Sequence, residues 1–202
     1  MCAFCGKIDE NFLCEECNKK FERITNVHIQ KYKNKTYAEH IYMFKYTDIR
    51  REILEYKFDD KSYYYKTISQ VFFKNKKICE ILKTYDIIIP VPIHNKRRKE
   101  RGYNQSELIA RAISKALGIP IVKNVLVKIK NTVPQSSLNK VQRAENAKGV
   151  YSAKNHTKLR NKKILLIDDI YTTGSTLNEC ANALIQKGIK REQIGVLTLA
   201  KD

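Results

Sequence analysis

The stretch ILLIDDIYTTGSTL, residues 164–177, constrains the fold more than any other part of this chain. Its opening aliphatic run lacks the alternation of a half-exposed strand and reads as a strand buried on both faces, as in a parallel sheet. The strand leads into two adjacent carboxylates, Asp168 and Asp169, then a turn of small residues around Gly174, and a helix opening at about Thr176. Each part has a chemical use. Backbone N–H groups at the start of a helix are unpaired and lie at the positive end of its dipole, so they receive phosphate. Thr172, Thr173, Gly174, Ser175 and Thr176 let the backbone curl around phosphate oxygens and add hydroxyl donors. Asp168 and Asp169 stand at the carboxyl end of the strand, where open α/β sheets bind ligands, and can accept hydrogen bonds from vicinal hydroxyls directly or through hydrated Mg2+. No Lys follows Gly174 as a P-loop would require. The competing reading, a strand-to-helix turn with two solvated aspartates, gives no reason to put paired carboxylates beside an anion cradle.

The neighbouring sequence supplies the rest of an α/β unit. Ile87-Ile88-Ile89-Pro90-Val91 is a second continuous apolar run, followed by a basic loop (HNKRRKERG) and a helix predicted from about Gln105 to Leu117, closed by Gly118 and Pro120. A short strand is expected within 121–129, a buried strand over 163–167, a helix over 175–187 closed by Gly188, and a last strand over 194–199. That order implies a parallel sheet with right-handed crossovers. Residues 130–149 have little apolar periodicity and are expected to form a long, polar, mobile loop of the kind that is usually functional. Upstream, 37–46 reads as a strand or hairpin, 49–58 as a helix with Asp48 as N-cap, and 62–82 as a second helical pattern whose Tyr64, Tyr65, Phe72 and Phe73 pack the core.

Four of the six cysteines fall in the first seventeen residues as Cys2-x-x-Cys5 and Cys14-x-x-Cys17. Two such pairs can close a tetrahedral thiolate cage, with zinc as the expected ion and a structural role, since four filled positions leave none for catalysis. A redox pair or iron–sulfur ligation are the alternatives. Cys79 and Cys180, inside apolar helix-like segments, read as core packing. No signal-peptide run opens the sequence and no segment approaches the roughly 20 apolar residues that span a bilayer, so a soluble, intracellular protein without membrane insertion is expected.

The formal net charge is +18, and between His94 and Lys163 stand 18 Lys and Arg against 3 Asp and Glu. One surface should therefore be strongly basic and attract polyanions, although a lysine-rich composition throughout explains part of the excess. Lys96, Arg97, Arg98, Lys99 and Arg101 could neutralise pyrophosphate, track a DNA backbone, or form a solvated face. Tyr103, with Asn104 and Gln105, could add stacking and polar contacts to single-stranded DNA. His28, His40, His94 and His156 show no ligand or triad spacing and receive no role.

Residues 164–177 resemble the phosphoribosyl pyrophosphate (PRPP) motif of the type I phosphoribosyltransferases. PVPIHNKRRKERGYNQSELIA (90–110) and TVPQSSLNKVQRAENAKGVY (132–151), the latter holding Gln135, Leu138, Arg143, Asn146 and Gly149, resemble the hallmark segments of the ComF family, associated with bacterial competence and DNA uptake. The resemblance implies a type I phosphoribosyltransferase fold over 85–202, a zinc knuckle over 1–24, and a helical or hood segment over 25–84; with 25 residues after Leu177, any hood is expected before Tyr85. It further implies that Asp168 and Asp169 hold the ribose hydroxyls and serve as the catalytic pair, that Thr172 to Thr176 cradle the 5-phosphate, and that Gln135 and Arg143 lie on a flexible loop. Mg2+ accompanies PRPP in such enzymes, where pyrophosphate departs through an oxocarbenium-like state. Many members carry Gly in the pyrophosphate loop, whereas this chain has Pro90-Val91-Pro92, which leaves binding and turnover of PRPP as separate readings. The first reading is a competence protein of natural transformation that binds PRPP and single-stranded DNA in the cytoplasm, at the inner face of the inner membrane, with a ComFA-like helicase and other DNA-uptake proteins as candidate partners. The second is an active Mg-dependent phosphoribosyltransferase of nucleotide salvage.

Overall fold

A computed structural model of the 202-residue chain describes residues 2, 4–10, 13–58, 67, 71–130, 149–154 and 157–202. Helix α1 (Glu15–Ile24) leads to a hairpin of β1 (His28–Lys31) and β2 (Glu39–Lys45), then α2 (Tyr46–Phe58) and α3 (Lys76–Leu82). The remainder runs β3 (Ile87–Pro90), α4 (Asn95–Arg101), α5 (Gln105–Leu117), β4 (Leu126–Lys128), β5 (Tyr151–Ala153), β6 (Ile164–Tyr171), α6 (Ser175–Ile185) and β7 (Ile194–Lys201).

Five strands form one sheet in the order β1-β2-β7-β6-β3, parallel except for the β1–β2 pair, and β4 and β5 form a separate antiparallel ribbon. In β3, β6 and β7 side chains alternate between two buried clusters, one on each face of the sheet. Leu165, Ile167, Leu197 and Leu199 face a cluster that includes Ile109, Ala110 and Ile113 of α5. Ile164, Leu166, Ile194 and Val196 face Leu177, Cys180, Ala181 and Leu184 of α6. Burial on both faces is why these strands read as unbroken apolar runs.

Expected helix α5 spans the residues read from sequence and ends at Gly118, whose φ of 74° closes it in the left-handed region. Elsewhere the structure departs from the sequence reading. The basic run after β3 is a helix, not a loop: His94 Nδ1 accepts from the Lys96 amide at 3.3 Å, Gly102 closes the other end, and the Lys and Arg between are good helix formers. Strand β6 continues past the carboxylates to Tyr171, because β7 runs on to Lys201 and keeps pairing with it. The 37–46 segment becomes β2, which adds to the main sheet through β7. Helix α2 starts at Tyr46, ahead of the expected N-cap Asp48, and carries a non-helical break at Ile49. Asn75 interrupts the second pattern and caps α3 through the Ile78 amide at 3.3 Å. Phe72 is buried and Phe73 packs against the core, while Tyr64 and Tyr65 lie outside the described residues. Cys180 is buried and Cys79 half-buried.

The cysteine-bearing segment joins this core. Phe4 and Phe21 rings lie 4.5 Å apart, Phe21 meets Phe44 of β2 at 6.1 Å, and Lys20 reaches the buried Glu52 carboxylate of α2 at 3.1 Å. Among the described residues no helix is long and apolar enough to cross a membrane.

Candidate functional site

The candidate site is the carboxyl end of β6 and the turn into α6. Asp168 and Asp169 are half-buried there, and each carboxylate accepts the next residue's amide: Asp169 N–H to Asp168 Oδ1 at 3.0 Å, and Ile170 N–H to Asp169 Oδ1 at 2.7 Å. Ser106 Oγ, in the first turn of α5, also donates to Asp168 Oδ1 at 2.9 Å. In the turn, Thr173 Oγ1 accepts from the Ser175 amide at 3.3 Å and lies 2.7 Å from Ser175 Oγ. Gly174, the N-cap of α6, has φ of 74° and no side chain of its own, so the backbone at the positive end of the helix can be approached closely by an anion.

Helix α4 divides the basic run. Arg97 and Arg101, four residues apart and so on one face, are half-buried, while Lys96, Arg98 and Lys99 are exposed. Burial and Arg97 lower the Arg101 pKa, and the Asp169 carboxylate opposes that shift. Arg98 faces elsewhere: its guanidinium meets Glu107 at 3.3 Å, a carboxylate that also holds Arg111 and Lys123, each at 2.7 Å. Burial alone would raise the Glu107 pKa, but the bonds from Lys123 and Arg111 outweigh it and leave the carboxyl below its ordinary value.

Three site features were missed by sequence reasoning. Lys128 of β4 is brought to the site, its ammonium 5.7 Å from the Tyr151 ring centroid. Burial and Arg97 lower its pKa while Cys180 and Asp168 oppose the shift, which places it in the same electrostatic group as the carboxylates. Tyr151 of β5 is pushed well up by burial, and a side-chain bond with Thr176 of α6 works against that. Lys128 lies outside the quoted motifs, and Tyr151 closes the 132–151 segment without any role having been read for it. Third, Asn104 and Gln105, expected to contact single-stranded DNA, are buried at 6% and 2% exposure. Asn104 instead accepts from the Ser106 amide at 3.1 Å and donates to the Val91 carbonyl at 3.0 Å, tying the loop after β3 to α5. Gln135 and Arg143 lie outside the described residues.

At the other end of the chain, the sulfurs of Cys2, Cys5, Cys14 and Cys17 lie within 4.8 Å of one another, and Cys5 and Cys14 are 3.6 Å apart. A tetrahedral cage with metal–sulfur bonds of about 2.3 Å has edges of about 3.8 Å. The four thiols therefore fit a metal such as zinc.

Residues 104–202 match the phosphoribosyl transferase domain, a stretch that opens at the α5 N-cap and includes β6, α6 and β7. The chain is similar to "Competence protein F" of Haemophilus influenzae, 32% identical over 152 residues, which cover 73% of this chain and 66% of that protein. The chain belongs to the ComF family. "Competence protein ComFC" of Bacillus subtilis aligns along 100% of it at 26% identity, covering 78% of that relative. "DNA utilization protein YhgH" of Escherichia coli is 28% identical over 116 residues, covering 57% of this chain, which spans half of that relative's length. The ComF core is thus a type I phosphoribosyltransferase fold, a mostly parallel sheet flanked by helices, with the four-cysteine cluster at the N-terminal side.

Proposed function

We propose that the β6–α6 turn of this ComF protein binds PRPP and that the protein acts in DNA uptake during natural transformation. One observation carries the ligand reading: two carboxylates stand beside the glycine turn that opens α6, within the electrostatic reach of Arg101 and Lys128. On this reading Asp168 and Asp169 accept the ribose hydroxyls and would help to hold Mg2+, which would offset the ligand's negative charge. The amides and hydroxyls of Thr172, Thr173, Gly174, Ser175 and Thr176 surround the 5-phosphate, and Arg97 and Arg101 offset pyrophosphate charge. Zinc fills the Cys2, Cys5, Cys14 and Cys17 cage. The exposed cations of α4, Lys96, Arg98 and Lys99, supply part of a basic path for single-stranded DNA. The protein works on the cytoplasmic side, at the inner face of the inner membrane, where a helicase and other DNA-uptake proteins would meet it. The relatives' names, for competence and DNA utilisation, support this role.

A second reading, turnover of PRPP in nucleotide salvage, is favoured by one feature: Arg97 and Arg101 share the half-buried face of α4, with Arg101 within the electrostatic reach of Asp169, a placement suited to pyrophosphate handling. Here an accepting base would be covered from the region before Tyr85, while the expected functional loop over 130–149 lies almost wholly outside the described residues.

Titrating PRPP and single-stranded DNA separately and together tests both readings. PRPP binding with Mg2+ that is abolished by Asp168→Asn with Asp169→Asn is expected, and a dependence of DNA affinity on PRPP would show coupling between the sites. An intact protein that ignores PRPP would sink the ligand reading. Pyrophosphate release with any of a panel of bases would favour turnover.

A further inference from the structure

Two chains of contacts run from the β1–β2 turn to Gly174, across more than 130 residues of sequence. In the first, the Thr36 amide donates to Asn178 Oδ1 at 3.1 Å, and the Thr36 hydroxyl lies 2.7 Å from the Asn178 carbonyl and 3.0 Å from its Oδ1. Asn178 in turn donates its amide to the Gly174 carbonyl at 2.8 Å, the bond that starts α6. In the second, the Tyr37 hydroxyl, fully buried, sits 2.9 Å from the Tyr171 hydroxyl. The Tyr171 ring lies against Gly174 so closely that a Cβ there would fall 2.4 Å from its oxygen. His40 of β2 backs the same ring, stacked at 4.2 Å between centroids and fixed by a 2.8 Å bond to Thr198. The turn is itself held, since Arg191 Nε donates to the Lys35 carbonyl at 2.9 Å.

We infer that Thr36 and Tyr37 are positioning residues for the phosphate cradle: through Asn178 and Tyr171 they fix the turn around Gly174 in its anion-binding conformation. The inference rests on reading that turn as the 5-phosphate site. Neither residue touches the ligand. Their effect is to keep the binding-competent turn populated before the ligand arrives, and any fall in that population weakens apparent affinity by the same factor. The N-terminal hairpin therefore belongs to the phosphate site as well as to the sheet.

The test uses Thr36→Val and Tyr37→Phe, which keep shape and remove hydroxyls, with Ile78→Val in the distant α3 core as a control for general destabilisation. In each full-length protein, ribose 5-phosphate and pyrophosphate are titrated separately, and hydrogen exchange is followed at the 173–178 amides without ligand. Removing one hydrogen bond, buried at Tyr37 and half-buried at Thr36, should weaken ribose 5-phosphate binding about 5- to 10-fold. Pyrophosphate binding should stay within about twofold, exchange at 173–178 should accelerate, and Ile78→Val should change neither affinity. Unchanged exchange and unchanged ribose 5-phosphate affinity in both variants would overturn the inference. So would equal losses for both ligands that track melting temperature as in Ile78→Val. If the wild type ignores ribose 5-phosphate while exchange still accelerates in the variants, the positioning contact stands and the phosphate reading falls.

Discussion

Gly174→Ala tests the geometry of the cradle with a single methyl group. Gly174 has φ of 74°, and holding an L-residue in that region costs roughly 1–2 kcal/mol. The new Cβ would also lie 2.4, 2.6 and 2.8 Å from the Oη, Cζ and Cε2 atoms of Tyr171. Tyr171 is 5% exposed with its hydroxyl bonded to Tyr37, so it can retreat only by disturbing the core, an overpacking cost of about 1–3 kcal/mol. The smaller unfolded-state entropy of Ala returns about 0.4–1 kcal/mol. A net destabilisation of about 1–4.6 kcal/mol follows, equivalent to roughly 2–18 °C in Tm for a chain of this size. Scanning calorimetry of Gly174→Ala, alone and combined with Tyr171→Ala, separates the two causes. Without the ring only the backbone strain less the entropy return should remain, about 0–1.6 kcal/mol. An equal cost in both backgrounds would refute the idea that Tyr171 excludes a side chain here, and a Tm within about 2 °C of wild type would refute the whole estimate.

Replacing Cys14 by Ser, or chelating the metal, should release one zinc per chain and loosen Phe4 and Phe21 from the core, with a stability loss of about 3 kcal/mol or more by metal analysis and urea unfolding; an unchanged unfolding midpoint would count against a structural metal. Burial, with Lys201 adding to it, pulls the His40 imidazole from 6.5 to about 3. The folded protein then binds fewer protons at this site than the unfolded chain between those values. Stability should therefore fall as pH drops below about 6.5, by about 2 kcal/mol between pH 7.5 and 5, and His40→Gln should flatten that slope in urea titrations. Arg97→Ala should weaken PRPP binding by about 10-fold or more, as expected for a charge-assisted bond. Lys96→Ala with Lys99→Ala should instead make the salt dependence of single-stranded DNA binding shallower by about 1.4 in log–log slope. Calorimetry and fluorescence titration would expose the reverse pattern, which would exchange the roles of the two faces of α4.

Local chemistry was legible in the sequence wherever one segment carried it whole. Helix α5 announces its end through Gly118, the four cysteines announce a cage by spacing, and β6 with its turn announces a strand, a glycine turn and a helix. Helix α4 was not legible because its seven residues NKRRKER contain no apolar position, so no period could be read. With the helix missed, the shared face of Arg97 and Arg101 was missed too. Ser106 beside Asp168, and Lys128 and Tyr151 beside the cradle, are non-local pairings set by how α5 and the β4–β5 ribbon dock, which no motif records. The parallel pairing of β2 with β7 is of the same kind, as is the buried His40–Thr198 bond, with 158 residues between its partners.

That pairing has a consequence for synthesis. In the order β1-β2-β7-β6-β3 the middle strand is the last one made. As the chain leaves the ribosome, the hairpin with β2 and the pair of β3 with β6 can each form, yet each presents an open, apolar strand edge until β7 slides between them. Such edges invite pairing with other chains. The nascent protein is therefore two half-sheets awaiting one strand, and any shortening that removes residues 194–201 should yield insoluble material rather than a smaller folded domain.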